Sequence, residues 1–102
     1  MIQIDPTDLT ILLVILKKHI PSGTVWAFGS RVQGNARPFS DLDLALIQDD
    51  LIDLRTKAEL RYQLSESRLP IRIDLIEWRR AHPEFREAIR QNHLRLKEAR
   101  PA

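Results

Sequence analysis

A glycine-serine pair and two aspartates form the stretch of this chain whose residue types could do chemistry. The pair is Gly29-Ser30, and a spacer of ten residues, 31–40, separates it from Asp41 and Asp43. Mg²⁺ prefers carboxylate and phosphate oxygens, and typically uses one or two carboxylates together with waters. Glycine lets the backbone approach a phosphate closely, and a serine hydroxyl adds a hydrogen-bond donor. The stretch therefore predicts a site for Mg²⁺ and a nucleoside triphosphate.

Short apolar segments on both sides of the spacer are expected to hold these residues as strands of one sheet. Residues 25–28 are apolar and β-rich, and residues 41–47 begin with alternating acidic and apolar side chains. Successive side chains of a strand point to opposite faces, so Asp41 and Asp43 share one face and the leucines between and after them occupy the other. Two carboxylates this close repel each other, and a cation between them removes the conflict. We expect the two strands to be antiparallel neighbours.

A third acid lies in the middle of a later alternating segment. Within residues 71–76, Asp74 shares a strand face with Arg72. An aspartate in the middle of a strand beside a core is uncommon unless it has a partner. Two explanations stay open here: Asp74 is a further carboxylate of the site, or it forms a structural ion pair with Arg72.

Two arginines in and beside the spacer are candidates for phosphate contacts. Arg31 follows the glycine-serine pair directly, and Arg37 lies six residues further on. A guanidinium group matches phosphate oxygens well, and a triphosphate with one Mg²⁺ still carries negative charge. Because arginines in loops are often simply solvated, we predict the contact for Arg31, which adjoins the motif, in preference to Arg37.

This combination of residues resembles the minimal nucleotidyltransferase family of the DNA polymerase β-like superfamily. The signature of that family is an apolar strand, Gly-Ser, a spacer of about ten residues and Asp-x-Asp, with a third acid on a later strand. The matching positions here are Gly29, Ser30, Asp41, Asp43 and Asp74. The resemblance covers the chain from the first helix to residue 78. It implies an α/β fold, polymerase β-like, with a mixed sheet and helices packed on one face.

The same resemblance implies an activity, which is Mg²⁺-dependent transfer of AMP from ATP to a hydroxyl acceptor. It assigns nucleotide binding to Gly29, Ser30 and Arg31, and both catalysis and a two-metal site to Asp41, Asp43 and Asp74. Members of the family are commonly encoded beside a helical HEPN protein, a ribonuclease toxin. For some pairs the implied acceptor is a tyrosine of that toxin, which the transfer neutralises. No residue of this sequence specifies adenine or tyrosine by itself.

Two other classes of function stay open. The chain could be a non-catalytic antitoxin subunit that masks its partner by binding alone. It could also bind nucleic acid, because residues 79–102 hold 7 basic and 3 acidic side chains whereas residues 1–78 hold 9 and 11. A solvated helix face explains this basic excess more simply, and no helix-turn-helix is evident. Pairing of the chain with a second copy of itself is a further alternative.

Length and composition bound the remaining expectations. The 102 residues fit one minimal nucleotidyltransferase domain spanning 1–102, and the absence of cysteine excludes disulfides and thiolate metal sites. The longest apolar run, residues 9–16, is too short to cross a bilayer and lacks the basic flank of a signal peptide. We therefore expect no membrane association and a cytoplasmic location.

The predicted order of elements is helix, strand, helical turn, strand, helix, strand and helix. Asp5 followed by Pro6 is typical of a helix start, with the aspartate as N-cap. The next long helix is expected to begin near residues 48–50. The last segment starts at residues 79–83 and is expected to become a helix that ends at Arg100-Pro101.

Overall fold

Four helices and four strands alternate along residues 2–99, the part of the chain that this computed structural model describes. They are α1 (Pro6–His19), β1 (Thr24–Phe28), α2 (Ser30–Gln33), β2 (Leu42–Ile47), α3 (Leu54–Glu66), β3 (Ile73–Glu77), α4 (Pro83–Gln91) and β4 (Leu94–Lys97), with a 3₁₀ turn at Trp78–Arg80. None of these helices is long and apolar enough to cross a membrane.

The strands form one mixed sheet in the order β3, β2, β1, β4. β1 is antiparallel to both β2 and β4, whereas β2 and β3 are parallel. The register places Phe28 opposite Asp43, and Asp43 opposite Asp74. The predicted mixed sheet and the predicted antiparallel pairing of the two motif strands are confirmed.

The apolar face of the sheet is covered by α1 and α3. Burial of these apolar side chains is the main favourable contribution to folding. The fully buried core side chains include Leu12, Leu16, Val25, Ala27, Leu42, Leu44 and Leu60. Because strand side chains alternate, Asp43 of β2 and Asp74 of β3 lie on the opposite face, as the sequence predicted.

The start of α1 is confirmed in detail, and the start of α3 is corrected. Asp5 caps α1 by accepting a hydrogen bond from the amide of Thr7 at 2.8 Å. The helix expected near residues 48–50 begins instead at Leu54, where the Asp53 carboxylate accepts from the amide of Thr56 at 2.8 Å. Capping of the first turn by Asp53 fixes this later start.

The predicted final helix is wrong in its second half. α4 ends at Gln91 and the chain turns into β4, which pairs with β1. Nδ1 of His93 lies 3.1 Å from the Ile89 carbonyl oxygen at this helix end, and the imidazole stacks on Trp26 with ring centroids 3.8 Å apart. The alternation of residues 94–97 suits a strand that covers the outer edge of β1. The predicted end at Arg100-Pro101 lies outside the described residues.

A buried ion pair joins α3 to the end of β3. Nζ of Lys57 lies 2.7 Å from Oε1 of Glu77, and the two side chains are 16% and 6% exposed. Burial raises the pKa of the Glu77 carboxyl, but hydrogen bonds from Lys57 and from the amide of Ile52 outweigh it, so this pKa lies below its ordinary value. The pair therefore favours the folded state wherever Glu77 is ionised.

Glu77→Gln is expected to lower the free energy of unfolding by about 3–5 kcal/mol at pH 7, because it leaves the Lys57 ammonium buried without a counter-ion. Urea unfolding monitored by circular dichroism measures this loss. Because the pKa of Glu77 is lowered in the folded state, the ion pair contributes fully to the free energy of unfolding above the unfolded-state pKa of about 4.3. This contribution is lost as the pH falls through the folded-state pKa of Glu77.

The matched control is Glu59→Gln, since Glu59 pairs with Arg55 at 3.3 Å on the surface of α3. An exposed pair contributes at most about 1 kcal/mol. Equal losses of unfolding free energy in Glu77→Gln and Glu59→Gln would contradict a stabilising role for the buried pair.

Candidate active site

The chain turns sharply between β1 and α2 at Gly29. Its φ of 82° lies in the region that side chains rarely adopt. A Cβ atom at this position would also overlap the Asp43 carboxylate, whose Cγ would be 3.2 Å away. Gly29 therefore serves both the backbone conformation and the close approach of the Asp43 side chain.

Ser30 is the first residue of α2 and lies beside this turn. The first amides of a helix have no acceptor within the helix. Within residues 2–99, the Ser30 hydroxyl also forms no hydrogen bond. The backbone amide and the hydroxyl of Ser30 can thus donate to an anionic group held against the Gly29 turn.

The structure brings three carboxylates together next to that turn. Asp43 is partly buried and lies directly across the β2–β3 register from Asp74, which is exposed, while Asp41 comes two residues before Asp43. Burial raises the pKa of the Asp43 carboxyl, and the negative charges of Asp74 and Asp41 raise it further. A cation at this position would relieve both effects by stabilising the ionised carboxylate.

These carboxylates do not form a complete metal cage. Across residues 2–99, no three histidine, cysteine, aspartate or glutamate side chains are arranged to hold a metal ion by themselves. Mg²⁺ does not need such a cage, because it usually binds one or two carboxylates and takes its other ligands from substrate phosphates and water. The donor set around Asp43 therefore fits Mg²⁺ that is bound together with a nucleotide.

Asp74 is not engaged in the structural ion pair that the sequence left open. In the described part of the chain it pairs with neither Arg72 nor any other basic residue. A groove of about 540 Å³ runs beside β3, and Asp74, Arg72 and Arg61 are among its lining residues. The Asp74 carboxylate is thus open to molecules that approach this edge of the sheet.

Arg31 has contacts different from the predicted phosphate contact. Its side chain is only 8% exposed. The guanidinium donates to the carbonyl oxygens of Gln3 at 2.7 Å, Ser40 at 2.9 Å and Pro38 at 3.0 Å, and more distantly to that of Arg37. These donors fasten the loop that leads into Asp41, so we leave Arg31 out of the phosphate site proposed below.

Comparison with known proteins identifies the family. Residues 12–101 match the family described as polymerase beta, nucleotidyltransferase. The chain belongs to this nucleotidyltransferase family. The match confirms the resemblance found in the sequence.

Three relatives of this nucleotidyltransferase extend the comparison. The "Probable protein adenylyltransferase MntA" of Haemophilus influenzae is 42% identical over 97 residues, which are 95% of this chain and 85% of the relative. A toxin-antitoxin crystal structure with AMP-PNP has a TM-score of 0.75 and 26% identity, covering 89% of this chain and 73% of that one. The structure of a tri-AMPylated Shewanella oneidensis HEPN toxin in complex with MNT antitoxin has a TM-score of 0.67 and 22% identity. The match covers 91% of this chain and 71% of that chain. At this identity the likeness concerns the fold alone.

The sequence did not reveal that aromatic side chains cover part of the acid face of the nucleotidyltransferase sheet. The rings of Phe28 in β1 and Phe85 in α4 meet edge to face, with centroids 5.6 Å apart. Trp26 contacts Trp78 in the same way at 5.4 Å. The alternation of side chains along β1 puts Trp26 and Phe28 on the face opposite the core, and this is the sequence feature that indicates the aromatic cover. These contacts hold α4 over the β1 side and leave the β3 side open.

Asp43→Asn is expected to raise the melting temperature of the metal-free nucleotidyltransferase at pH 7, because it removes a charge that burial and two neighbouring carboxylates disfavour. A raised folded-state pKa destabilises the fold progressively as the pH rises above the unfolded-state value of about 3.9. The difference in melting temperature between Asp43→Asn and wild type should therefore vanish below about pH 3.9. Thermal unfolding at several pH values measures this difference. Asp50→Asn, on an exposed loop, is the control. A lower melting temperature for Asp43→Asn than for wild type would contradict a destabilising effect of the Asp43 charge.

Proposed function

We propose that this nucleotidyltransferase transfers AMP from ATP to a hydroxyl group of a HEPN-type partner and thereby neutralises that partner. The observation that carries the proposal is the cluster of Asp41, Asp43 and Asp74 against the turn at Gly29. The name of the Haemophilus relative and the AMP-PNP bound in the related toxin-antitoxin structure support adenine nucleotide as the substrate. Because the reaction consumes ATP, we place it in the cytoplasm.

We assign Mg²⁺ binding to Asp41 and Asp43, with Asp74 available to a second ion. When bound, Mg²⁺ neutralises charge on the phosphates and stabilises the attacking and leaving oxygens of an in-line displacement. The raised pKa of Asp43 supports the assignment, because a carboxylate with two acidic neighbours gains most from a nearby cation.

The remaining groups of the site bind and orient the reactants. Gly29 forms the turn beside the triphosphate and lets the Asp43 carboxylate approach that turn closely. The amide and hydroxyl of Ser30 donate to the phosphate oxygens. The acceptor hydroxyl attacks the α-phosphorus, so a new oxygen-phosphorus bond forms while the bond to the bridging α,β-oxygen breaks and pyrophosphate leaves. Where it does not bind a second ion, Asp74 would take the proton from the acceptor, which is a poor nucleophile when protonated. No covalent intermediate on the enzyme is required.

Nucleic-acid binding has little support from the basic residues near the end of the chain. Arg86 donates to the carbonyl oxygen of Trp78 at 2.8 Å, and Arg90 and Arg95 each pair with a glutamate at 3.3 Å. Lys97 is buried and donates to the Pro21 carbonyl oxygen at 3.4 Å. These contacts favour the structural explanation of the basic excess, so masking without catalysis is the alternative that needs an experiment.

The test uses ATP labelled at either the α- or the γ-phosphate, with Mg²⁺ and a HEPN-type protein as the proposed partner. Nucleotidyl transfer moves label to the partner from α-labelled ATP only, because the γ-phosphate leaves within pyrophosphate. Label from γ-labelled ATP would indicate phosphoryl transfer instead. Tight association of the two proteins without any label on the partner would favour masking.

A further inference from the structure

A large aromatic side chain is exposed to solvent beside the proposed active site. Phe39 is 91% exposed, and it precedes Asp41 by only two residues. Aromatic side chains are normally buried at least in part, because water disfavours their surface. A single exposed apolar residue needs no explanation by itself. The hydrogen bonds of the turn that carries Phe39 are a second observation.

Phe39 occupies the tip of a turn that is fastened from both sides. The amide of Ser40 donates to the Arg37 carbonyl oxygen at 3.0 Å, and the amide of Arg37 donates to the Ser40 hydroxyl oxygen at 2.8 Å. Pro38 fixes the backbone before the ring. The buried Arg31 guanidinium binds the carbonyl oxygens of the residues on both sides of Phe39, at 3.0 and 2.9 Å. The exposed ring is therefore presented by a rigid backbone.

The shape of this feature favours a macromolecular ligand over a small one. Sites for nucleotides and other small molecules are concave, whereas the Phe39 ring projects from a convex tip. Aromatic side chains that project in this way act as anchors in protein interfaces, where they fill a recess of the partner. Because the backbone of the turn is already held, only the side chain of Phe39 has to be ordered on binding, which limits the loss of conformational entropy.

The position of the ring indicates which partner it meets. Two residues of extended chain span at most about 7 Å, so a protein that binds Phe39 also lies beside Asp41. The acceptor hydroxyl must reach the same place, because it attacks the α-phosphorus held by the site acids. The ring and the acceptor are therefore expected to meet one and the same molecule.

We propose that Phe39 is an anchor for the polypeptide that carries the acceptor hydroxyl, and that Arg31 holds the anchor in place. The ring inserts into an apolar recess next to the acceptor residue. The identity of the acceptor protein as a HEPN-type partner rests on the proposed function. The contact itself can be measured without any transfer of AMP.

The experiment compares wild type, Phe39→Ala, Phe39→Trp and Tyr62→Ala. Tyr62 is 63% exposed on α3, which packs on the sheet face opposite the acids, so it is a matched exposed aromatic control. The readouts are association with the HEPN protein without nucleotide, the dependence of the AMP transfer rate on HEPN concentration, and ATP affinity. Phe39→Ala should weaken association and raise the half-saturating HEPN concentration by about thirty-fold, as loss of an anchor does, with ATP affinity unchanged. The other two variants should resemble wild type.

Unchanged association and an unchanged half-saturating concentration for Phe39→Ala would overturn the proposal. A selective loss of ATP affinity in this variant would also overturn it, by assigning the ring to the nucleotide base. If the wild type transfers no AMP from ATP, the proposed function fails, while the association measurement still decides the role of Phe39. Melting temperatures equal to that of wild type verify that each variant is folded.

Discussion

Asp43→Asn is expected to reduce the rate of AMP transfer by about a thousand-fold, while the variant remains folded and still associates with its partner. Asparagine has nearly the same shape as aspartate but lacks the negative charge that binds Mg²⁺. Metal-dependent stabilisation of the transition state contributes several kcal/mol, and each 1.36 kcal/mol changes a rate by about tenfold. Initial rates of label transfer from α-labelled ATP measure the loss.

The control for this loss is Asp50→Asn, which removes the same charge from an exposed loop outside the proposed site. Its transfer rate should stay within about twofold of wild type, because surface substitutions away from a site have small effects. More than about a tenth of wild-type activity in Asp43→Asn would show that this carboxylate is not a metal ligand of the reaction.

Gly29→Ala is expected to reduce transfer by about a hundred-fold or more and to destabilise the fold. The new methyl group overlaps the Asp43 carboxylate and displaces it from the proposed metal position. A misplacement of about 1 Å in a catalytic group can cost a hundred-fold in rate. The φ of 82° adds strain of about 1–3 kcal/mol, which urea unfolding measures alongside the transfer rate.

Gly34→Ala separates these two effects. Gly34 also has a positive φ, 86°, but its ψ of 11° lies in the left-handed helical region, where alanine is less strained than at the Gly29 ψ of −159°. Apart from its chain neighbours, no atom lies within 4 Å of the added methyl group. This variant should therefore lose less stability than Gly29→Ala and retain its transfer activity. Similar activities for the Gly29 and Gly34 variants would contradict the requirement for close packing of Asp43 against the turn.

Local patterns predicted the parts of the fold that carry the proposed chemistry. The alternation of residues 41–47 correctly placed the leucines in the core and Asp43 on the other face. Asp5 and Pro6 correctly predicted the start of α1, because a cap depends on neighbouring residues alone. The roles of Gly29, Ser30 and the three acids in binding and catalysis remain predictions for the experiments above.

Features that depend on distant residues could not be predicted from local patterns. β4 has only four residues, and its pairing with β1 joins segments about seventy positions apart in the chain. The partners of Arg31 include the carbonyl oxygen of Gln3, 28 residues away. In the sequence this arginine resembles a loop residue beside a phosphate site, because nothing local indicates that folding buries its guanidinium among carbonyl oxygens.

The most direct test of AMP transfer is the mass of the HEPN partner after it has been incubated with this chain, Mg²⁺ and ATP and then separated under denaturing conditions. Covalent transfer persists through separation, whereas masking by contact does not. AMP transfer predicts a mass increase of whole AMP residues for wild type and none for Asp43→Asn. An unchanged mass for a partner that wild type neutralises would contradict AMP transfer and assign neutralisation to binding alone.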